Sequence, residues 1–202
     1  MALNANALTT LVAMKIFVKV PTAEVTQDAN LEGFINGASE LVERYLNRRV
    51  YSANYSEQYN GDRGHEILLR HWPINSISDI FVDPERVFPA SSAIDVDDFG
   101  IVSNELGEGI SVERYSQGFP KGRKTVKVDY DAGYNGLANL PSDIELACKI
   151  TAAYYFKKQQ NEDWTFSSMQ KGDETITVLV QGIPEAAKTI LEEYRRSEIF
   201  VD

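Results

Sequence analysis

The sequence predicts an α+β protein: a body of about four helices, drawn from both chain ends, with an inserted antiparallel β-sheet domain. Apolar residues recur at three- and four-residue steps before residue 50 and again after residue 142, which is typical of helices with one buried face. Between these regions, apolar and polar residues alternate in short runs bounded by Gly, Pro and Asp, as in a sheet with one wet face. We therefore predict N-terminal helices over 1–50, the β region over 51–131, and C-terminal helices, an extended arm and a tail over 132–202.

Two helices are predicted in the N-terminal region. The first covers residues 8–19, where Thr9 or Thr10 can cap its start and Pro21 follows its end. The second is the strongest amphipathic pattern in the chain, and Arg residues in its last turns complement the carbonyl end of the helix dipole. Its apolar positions fall on one stripe: Leu31, Phe34, Ile35, Ala38, Leu41, Val42, Tyr45 and Leu46.

The β region contains six segments with a period of two. Gly61–Gly64 is predicted as a hairpin turn after the first segment, and an Asn/Gly-bearing turn is predicted to join the fourth and fifth. In the last segment Val126, Val128 and Tyr130 alternate with polar residues and define a buried face. The segments are 51–61, 65–74, 76–84, 93–102, 109–116 and 124–134.

A sharp strand-to-helix junction follows the β region. The strand ends at Ala-Gly-Tyr, a polar loop turns the chain, and Pro-Ser-Asp opens the third helix, with Ser142 as N-cap and Glu145 completing a capping box. The last helix opens at Ile183-Pro184. Before it, the segment TITVLV is interpreted as a strand or as an extended arm that pairs only with a neighbouring chain. Its residues are Thr175, Ile176, Thr177, Val178, Leu179 and Val180.

Composition narrows the possible functions. The chain of 202 residues has 20 Lys+Arg and 30 Asp+Glu, a formal charge of −10, which argues against a protein that grips DNA phosphates. Its one cysteine excludes an intrachain disulfide. No apolar run reaches the roughly 18 residues of a membrane-spanning helix, so none is predicted.

The sequence offers no strong catalytic or metal-binding motif. In HEILLRH the second histidine comes six residues after the first, whereas a zinc-binding helix needs it four residues on. DVDDFG resembles the start of a calcium loop, but Phe99 and Leu106 stand where oxygen ligands are required, so a turn is the favoured interpretation. Phosphate-binding glycine motifs are missing from the sequence. We predict no enzyme activity, no catalytic residues, no metal site and no cofactor.

Five ordered blocks resemble the head-to-tail connector (adaptor, or head completion) proteins of tailed bacteriophages. The similarity spans nearly the whole chain, and the stretch from Pro84 to Gly122 departs from it as an enlarged sheet insertion. The strand-AGY-loop-Pro-helix block is the most recognisable of the five. The blocks are LTTLVAMKIFV; LEGFINGASELVERYLNRRV; YSEQYNG with LLRHWPINSISDI as a first hairpin; VKVDYDAGYNGLANLPSDIELACKITAAYYF; and GDETITVLVQGIPEAAKTILEEYRR.

The resemblance implies a structural protein of the virion neck that is assembled in the host cytoplasm. It implies a closed ring of about twelve copies beneath the portal protein, built through head-to-tail interfaces. DNA would pass through the ring without sequence-specific binding, and a stopper or tail-completion protein would bind below. The C-terminal helix and tail would bind the portal through residues at these positions: Tyr194, Arg195, Arg196, Ile199 and Phe200. The TITVLV arm would join neighbouring copies.

Two other functions stay open from the residues alone. The abundant Tyr, Phe and Trp residues of the β region are compatible with a soluble module that binds a protein partner. A small hydrolase working from Asp and Glu alone is the less favoured alternative, because no nucleophile–base pair is recognisable.

Overall fold

A computed structural model describes residues 2–105, 107–160, 168–171, 174–177 and 182–195, and it confirms the α+β class. The chain divides into two compact units. The helical unit combines the described residues up to Arg48 with those from Leu137 onward. The sheet unit is Arg49–Gly136, so it is inserted between two parts of the helical unit.

The helical unit contains four α-helices within the described ranges. The side chain of Thr10 accepts a hydrogen bond from the Ala13 amide at 3.1 Å and caps the first helix, as predicted. That helix ends at Lys19, whose left-handed conformation (φ 61°) precedes Pro21. The helices are α1 (Leu11–Val18), α2 (Asp28–Leu46), α3 (Ser142–Gln160) and α4 (Glu185–Leu191).

Side chains from both chain ends build the interior of the helical unit. The predicted α2 stripe faces inward, and Phe34 meets Phe156 of α3 edge to face with ring centroids 6.4 Å apart. Ser39 Oγ and Cys148 Sγ lie 3.5 Å apart where α2 packs on α3. The Glu145 carboxylate, predicted to complete a capping box, accepts a hydrogen bond from the Thr9 hydroxyl, because the segment before α1 folds back onto the start of α3.

Lys15 is a buried cation in this unit, with a side chain only 3% exposed. Its Nζ atom donates to the carbonyl oxygens of Thr22 at 3.2 Å and Glu24 at 2.6 Å, and it forms an ion pair with Asp28. A buried ammonium needs such partners because it has lost its water. The lysine therefore fixes the loop between α1 and α2.

Antiparallel pairing links all the strands of the sheet unit. The strand order is β1-β6-β3-β5-β2, with β4 paired to the other edge of β5. The fourth and fifth segments form the predicted pair, and Val126, Val128 and Tyr130 are buried as predicted. The strands are β1 (Ala53–Gly61), β2 (Glu66–Leu68), β3 (Ile74–Val82), β4 (Phe99–Ser103), β5 (Gly109–Arg114) and β6 (Gly122–Ala132).

The predicted first hairpin is wrong. β1 pairs with β6, and β2 pairs with β5, so the Gly61–Gly64 segment joins strands that are not neighbours. The physical reason is the long register between β1 and β6, which runs from Ala53↔Ala132 to Gly61↔Gly122 and provides more ladder than the three-residue β2 can offer.

Both ends of the sheet unit meet at the strand-AGY junction. The Tyr134 amide donates to the Val50 carbonyl at 2.9 Å, and the Ser52 amide donates to the Tyr134 carbonyl at 3.0 Å. Gly133 has φ +118°, and a Cβ atom there would lie 2.6 Å from the Tyr51 backbone. Only glycine fits this crossing, which explains the glycine of the AGY motif.

Candidate functional site

In the described part of the chain, no group of three His, Cys, Asp or Glu side chains could hold a metal ion. Asp98, from the calcium-like motif, binds Arg114 Nε at 2.9 Å and the amide of Ser116 at 2.8 Å, and these bonds, led by that from Arg114, hold its pKa below the ordinary value. Burial raises the pKa of the Cys148 thiol to about 11, which keeps it protonated and unreactive. No helix in the described ranges has the length and apolarity to cross a bilayer.

Part of the predicted portal-binding set lies beside the end of α2. The Tyr194 carbonyl accepts from Arg48 Nε at 3.3 Å, and the Arg195 guanidinium lies 5.3 Å from the centroid of the Tyr45 ring. The Tyr45 hydroxyl donates to Glu192 Oε2 at 2.7 Å, and this bond is the main cause of a raised Tyr45 pKa. One group of contacting residues is thus formed by Tyr45, Arg48, Glu192, Tyr194 and Arg195. Arg196, Ile199 and Phe200 lie outside the described residues.

Half of the predicted arm is described, and it is a strand. β7 (Ser168–Lys171) and β8 (Glu174–Thr177) form a two-stranded antiparallel sheet, so Thr175, Ile176 and Thr177 pair within their own chain. No other described strand pairs with this sheet. A two-stranded sheet is marginal by itself in water, and a further strand or a packed helix stabilises it. Val178, Leu179 and Val180 lie outside the described residues.

The segment that follows β3 begins with a turn built around Asp83. Its carboxylate accepts amide hydrogen bonds from Glu85 at 2.9 Å, Val87 at 2.8 Å and Phe88 at 2.9 Å. These bonds, led by that from Phe88, lower the pKa of Asp83. They also hold Arg86 (φ 62°) and Phe88 (φ 52°) in the left-handed conformation, while the Val87 side chain is 74% exposed. The turn therefore presents an exposed apolar side chain on a backbone that three hydrogen bonds to one carboxylate hold in place.

A partly buried polar network lies on the core-facing side of β1, and the sequence analysis missed it. Glu57 Oε2 accepts hydrogen bonds from the Tyr59 hydroxyl at 2.6 Å and the Tyr130 hydroxyl at 2.7 Å. Glu57 Oε1 faces Arg70 Nη1 at 3.6 Å and His71 Nε2 at 3.9 Å. We call these five residues the Glu57 cluster. The sequence does contain a clue to it. Alternate residues of β1 point inward, and an acid at position 57 stands between Tyr55 and Tyr59 in that inward series.

Hydrogen bonds and neighbouring charges together outweigh burial in setting the pKa of Glu57. Burial raises its pKa, but the hydrogen bonds from Tyr59 and Tyr130 and the charges of His71 and Arg70 together lower it below the ordinary value. The two phenols respond in the opposite direction: burial, with the nearby carboxylate, raises the pKa of Tyr59 and of Tyr130. The cluster therefore contains a carboxylate and two neutral phenols at neutral pH.

Comparison with known proteins gives one family and several solved structures. Residues 7–197 match the family described as head completion protein. The chain is similar to a protein in the neck of an empty GTA particle computed with C6 symmetry, with 15% identity, a TM-score of 0.59, and coverage of 100% of this chain and 97% of that one. It is also similar to a chain in the virion of a native gene transfer agent (GTA) particle, with 16% identity, a TM-score of 0.58, and coverage of 100% and 96%. A third match, in the neck of a native GTA particle computed with C12 symmetry, has 16% identity, a TM-score of 0.56, and coverage of 100% and 97%. Among curated proteins, none matches the sequence.

Proposed function

The chain belongs to the head completion protein family, and from that premise we propose that it is a head-to-tail connector, a structural protein of the virion neck. The carrying observation is the family match over residues 7–197, which includes the helical regions and the complete β region. The fold is that of proteins in GTA necks. Catalysis is not part of the proposed role.

The proposed assembly is a ring of about twelve copies that docks on the portal protein and carries a stopper or tail-completion protein. The C6 and C12 symmetries of the necks that contain similar chains support a ring. Mass photometry and negative-stain microscopy of the purified protein, alone and mixed with portal protein, test the proposal. We expect rings or a ring-sized complex on the portal. Free monomer alone is compatible with assembly on the portal, and persistent failure to bind portal protein would overturn the role.

We propose that the portal contact is made by the C-terminal helix and tail: Tyr194, Arg195, Arg196, Ile199 and Phe200. Arg195 is exposed and next to Tyr45, so it is available to a partner while it is oriented within its own chain. A chain ending at Glu193 also loses the bond from Arg48 to the Tyr194 carbonyl. The double variant Ile199→Ser/Phe200→Ser leaves that bond in place and is the matched test. Both variants are expected to bind portal more weakly, and unchanged affinity of the chain ending at Glu193 would refute the assignment.

We propose that β8 and the residues after it, through Val180, add a strand to a neighbouring copy. The marginal stability of a lone two-stranded sheet supports this, because a third strand from another subunit would complete it. Hydrogen exchange at Thr175–Thr177 should be slower in the ring than in the monomer, while α2 amides serve as the internal control. Equal protection at these amides in both states would eliminate the arm.

DNA is proposed to pass through the ring without being held. The charge of −10 per chain disfavours phosphate binding, so a negative channel wall would not trap the passing duplex. In a filter-retention assay at about 0.15 M salt, the assembled ring should retain no more duplex DNA than a neutral control protein. Tight, salt-sensitive retention would contradict this part of the proposal.

A further inference from the structure

Glu57 places a carboxylate where the alternation of β1 would otherwise put an apolar side chain. Its Oε2 atom is occupied by the hydroxyls of Tyr59 and Tyr130, which also lie 3.2 Å from each other. Its Oε1 atom faces away from them, toward the Leu69–Pro73 segment that joins β2 to β3. The two carboxylate oxygens therefore have different tasks: one binds within the sheet, and the other binds the connecting segment.

The connecting segment presents two basic groups to Oε1. Arg70 is permanently charged, and its guanidinium also lies 5.3 Å from the Tyr59 ring centroid. The Arg70 amide donates to the Tyr59 hydroxyl at 3.1 Å, which anchors the start of the segment independently of any charge. His71 is the group whose charge changes near neutral pH, because an ordinary imidazole titrates near ~6.5.

Two contacts of His71 are stronger when its ring is charged. Nε2 lies 3.9 Å from Glu57 Oε1, and the ring stacks on Tyr55 with centroids 3.8 Å apart and planes 8° from parallel. A carboxylate attracts an imidazolium, and an aromatic face attracts a cation. Partial burial and the like charge of Arg70 act against protonation. Arg70 is more exposed than Glu57, at 27% against 18%, so water screens the arginine charge more than the charge of the carboxylate.

We propose that His71 is a protonation-dependent latch in the sheet unit: its imidazolium holds the Leu69–Pro73 segment on β1 through Glu57, and the neutral ring releases that hold. The folded chain favours the imidazolium more than the unfolded chain does, since only the folded chain places Glu57 and Tyr55 beside it. The stabilisation is therefore fully present below pH ~6.5 and is lost as the pH rises above it. The latch is independent of the proposed connector role.

The chain offers a matched control because it has only two histidines. His65 is exposed, and its Nδ1 lies 3.0 Å from the Arg114 carbonyl oxygen, outside the Glu57 cluster. We would measure the unfolding temperature of the full chain between pH 5.5 and pH 8 for the wild type, His71→Gln and His65→Gln. The wild type should gain about 2–4 °C more than His71→Gln on going to pH 5.5. His65→Gln should follow the wild type. Because it also lacks one histidine, it controls for the effect on stability of losing one titrating charge anywhere in the chain.

A second variant separates the latch from simple packing. Glu57→Gln keeps an oxygen that can accept the tyrosine hydroxyls but removes the charge that attracts the imidazolium. In this background, His71→Gln should change the pH dependence less than it does in the wild type, because only the Tyr55 contact still favours the charged ring. Should Glu57→Gln fail to fold, a proton NMR titration of the His65→Gln protein reads the His71 imidazole directly, with an expected midpoint above ~6.5. Equal pH dependence of the wild type and His71→Gln, or a His71 midpoint at or below ~6.5, would overturn the proposal.

Discussion

The Thr9 hydroxyl donates a hydrogen bond to Glu145 Oε1 at 2.9 Å, and so joins the segment before α1 to the first turn of α3 across 136 positions of sequence. Thr9 is 1% exposed, and Glu145 also forms an ion pair with Lys149 at 3.3 Å. The contact belongs to the part of the helical unit that is built from both ends of the chain.

Thr9→Val should lower the free energy of unfolding by about 1–2 kcal/mol, because it buries a methyl group where a hydroxyl satisfied the carboxylate. Urea denaturation followed by circular dichroism measures the loss. The double-mutant cycle with Glu145→Ala, which removes the acceptor, isolates the contact. Strictly additive effects of the two substitutions would show that the bond contributes nothing.

Lys15→Met should lower the free energy of unfolding by about 2–3 kcal/mol, because it leaves the Thr22 and Glu24 carbonyls and the Asp28 carboxylate without their cation. Partial exposure of Asp28 keeps the loss below that of a fully buried pair. Lys19→Met is the control, since Lys19 is exposed and the same change there should cost less than about 0.5 kcal/mol. Similar losses at both positions would argue against a structural role for the buried lysine.

Gly133→Ala should destabilise the protein by more than about 3 kcal/mol or prevent folding, because the new Cβ would overlap the Tyr51 and Ser52 backbone. Gly136 also has a positive φ (+78°), but a methyl group added there would meet nothing within 4 Å. Gly136→Ala should therefore cost only about 1–2 kcal/mol of conformational strain. Thermal unfolding of the two variants compares the clash with the strain, and equal losses would refute the close crossing at Gly133.

Asp83→Asn should loosen the turn that follows β3. Because the pKa of Asp83 is lowered in the folded protein, its carboxylate stabilises the turn at any pH above the ordinary Asp pKa. This stabilisation is lost as the pH falls through the pKa of Asp83 in the folded protein. The protection of the Val87 and Phe88 amides, measured as the exchange rate relative to the intrinsic rate at the same pH, should fall in the variant, and in the wild type on acidification. Glu85→Gln, a neighbouring acid substitution, should leave both amides unchanged. Unaltered exchange in Asp83→Asn would contradict the assigned role.

The sequence predicts local structure well because local structure depends on nearby residues. The α2 stripe, the Thr10 cap and the buried face of β6 all follow from periodicity and capping. Strand pairing is different. Neighbours in sequence usually pair, but here β6 supplies a longer ladder for β1 than β2 does.

The partners of the polar side chains Glu57 and Lys15 could not be predicted either, because they too depend on contacts between segments that are distant in sequence. Periodicity places Glu57 on an inward face, but its tyrosine partner comes from β6, 73 residues away. Lys15 likewise interrupts an apolar helix, and only the return of the α1–α2 loop explains its burial. The portal and arm residues come from the family resemblance, because contacts with other chains leave no periodic pattern in one sequence.

The bonded pair of Val50 and Tyr134 has a consequence for how such a chain can change over time. The Tyr134 amide and the Val50 carbonyl, at the two ends of the sheet unit, are hydrogen-bonded at 2.9 Å. Residues gained or lost between Ala53 and Ala132 therefore need not change the distance between the two ends. Loops within the sheet unit, such as the Asp83 turn, can therefore change in length without separating the two ends of the unit. A head completion protein built in this way can acquire a new surface in the sheet unit while the helices before and after that unit keep their sequence pattern.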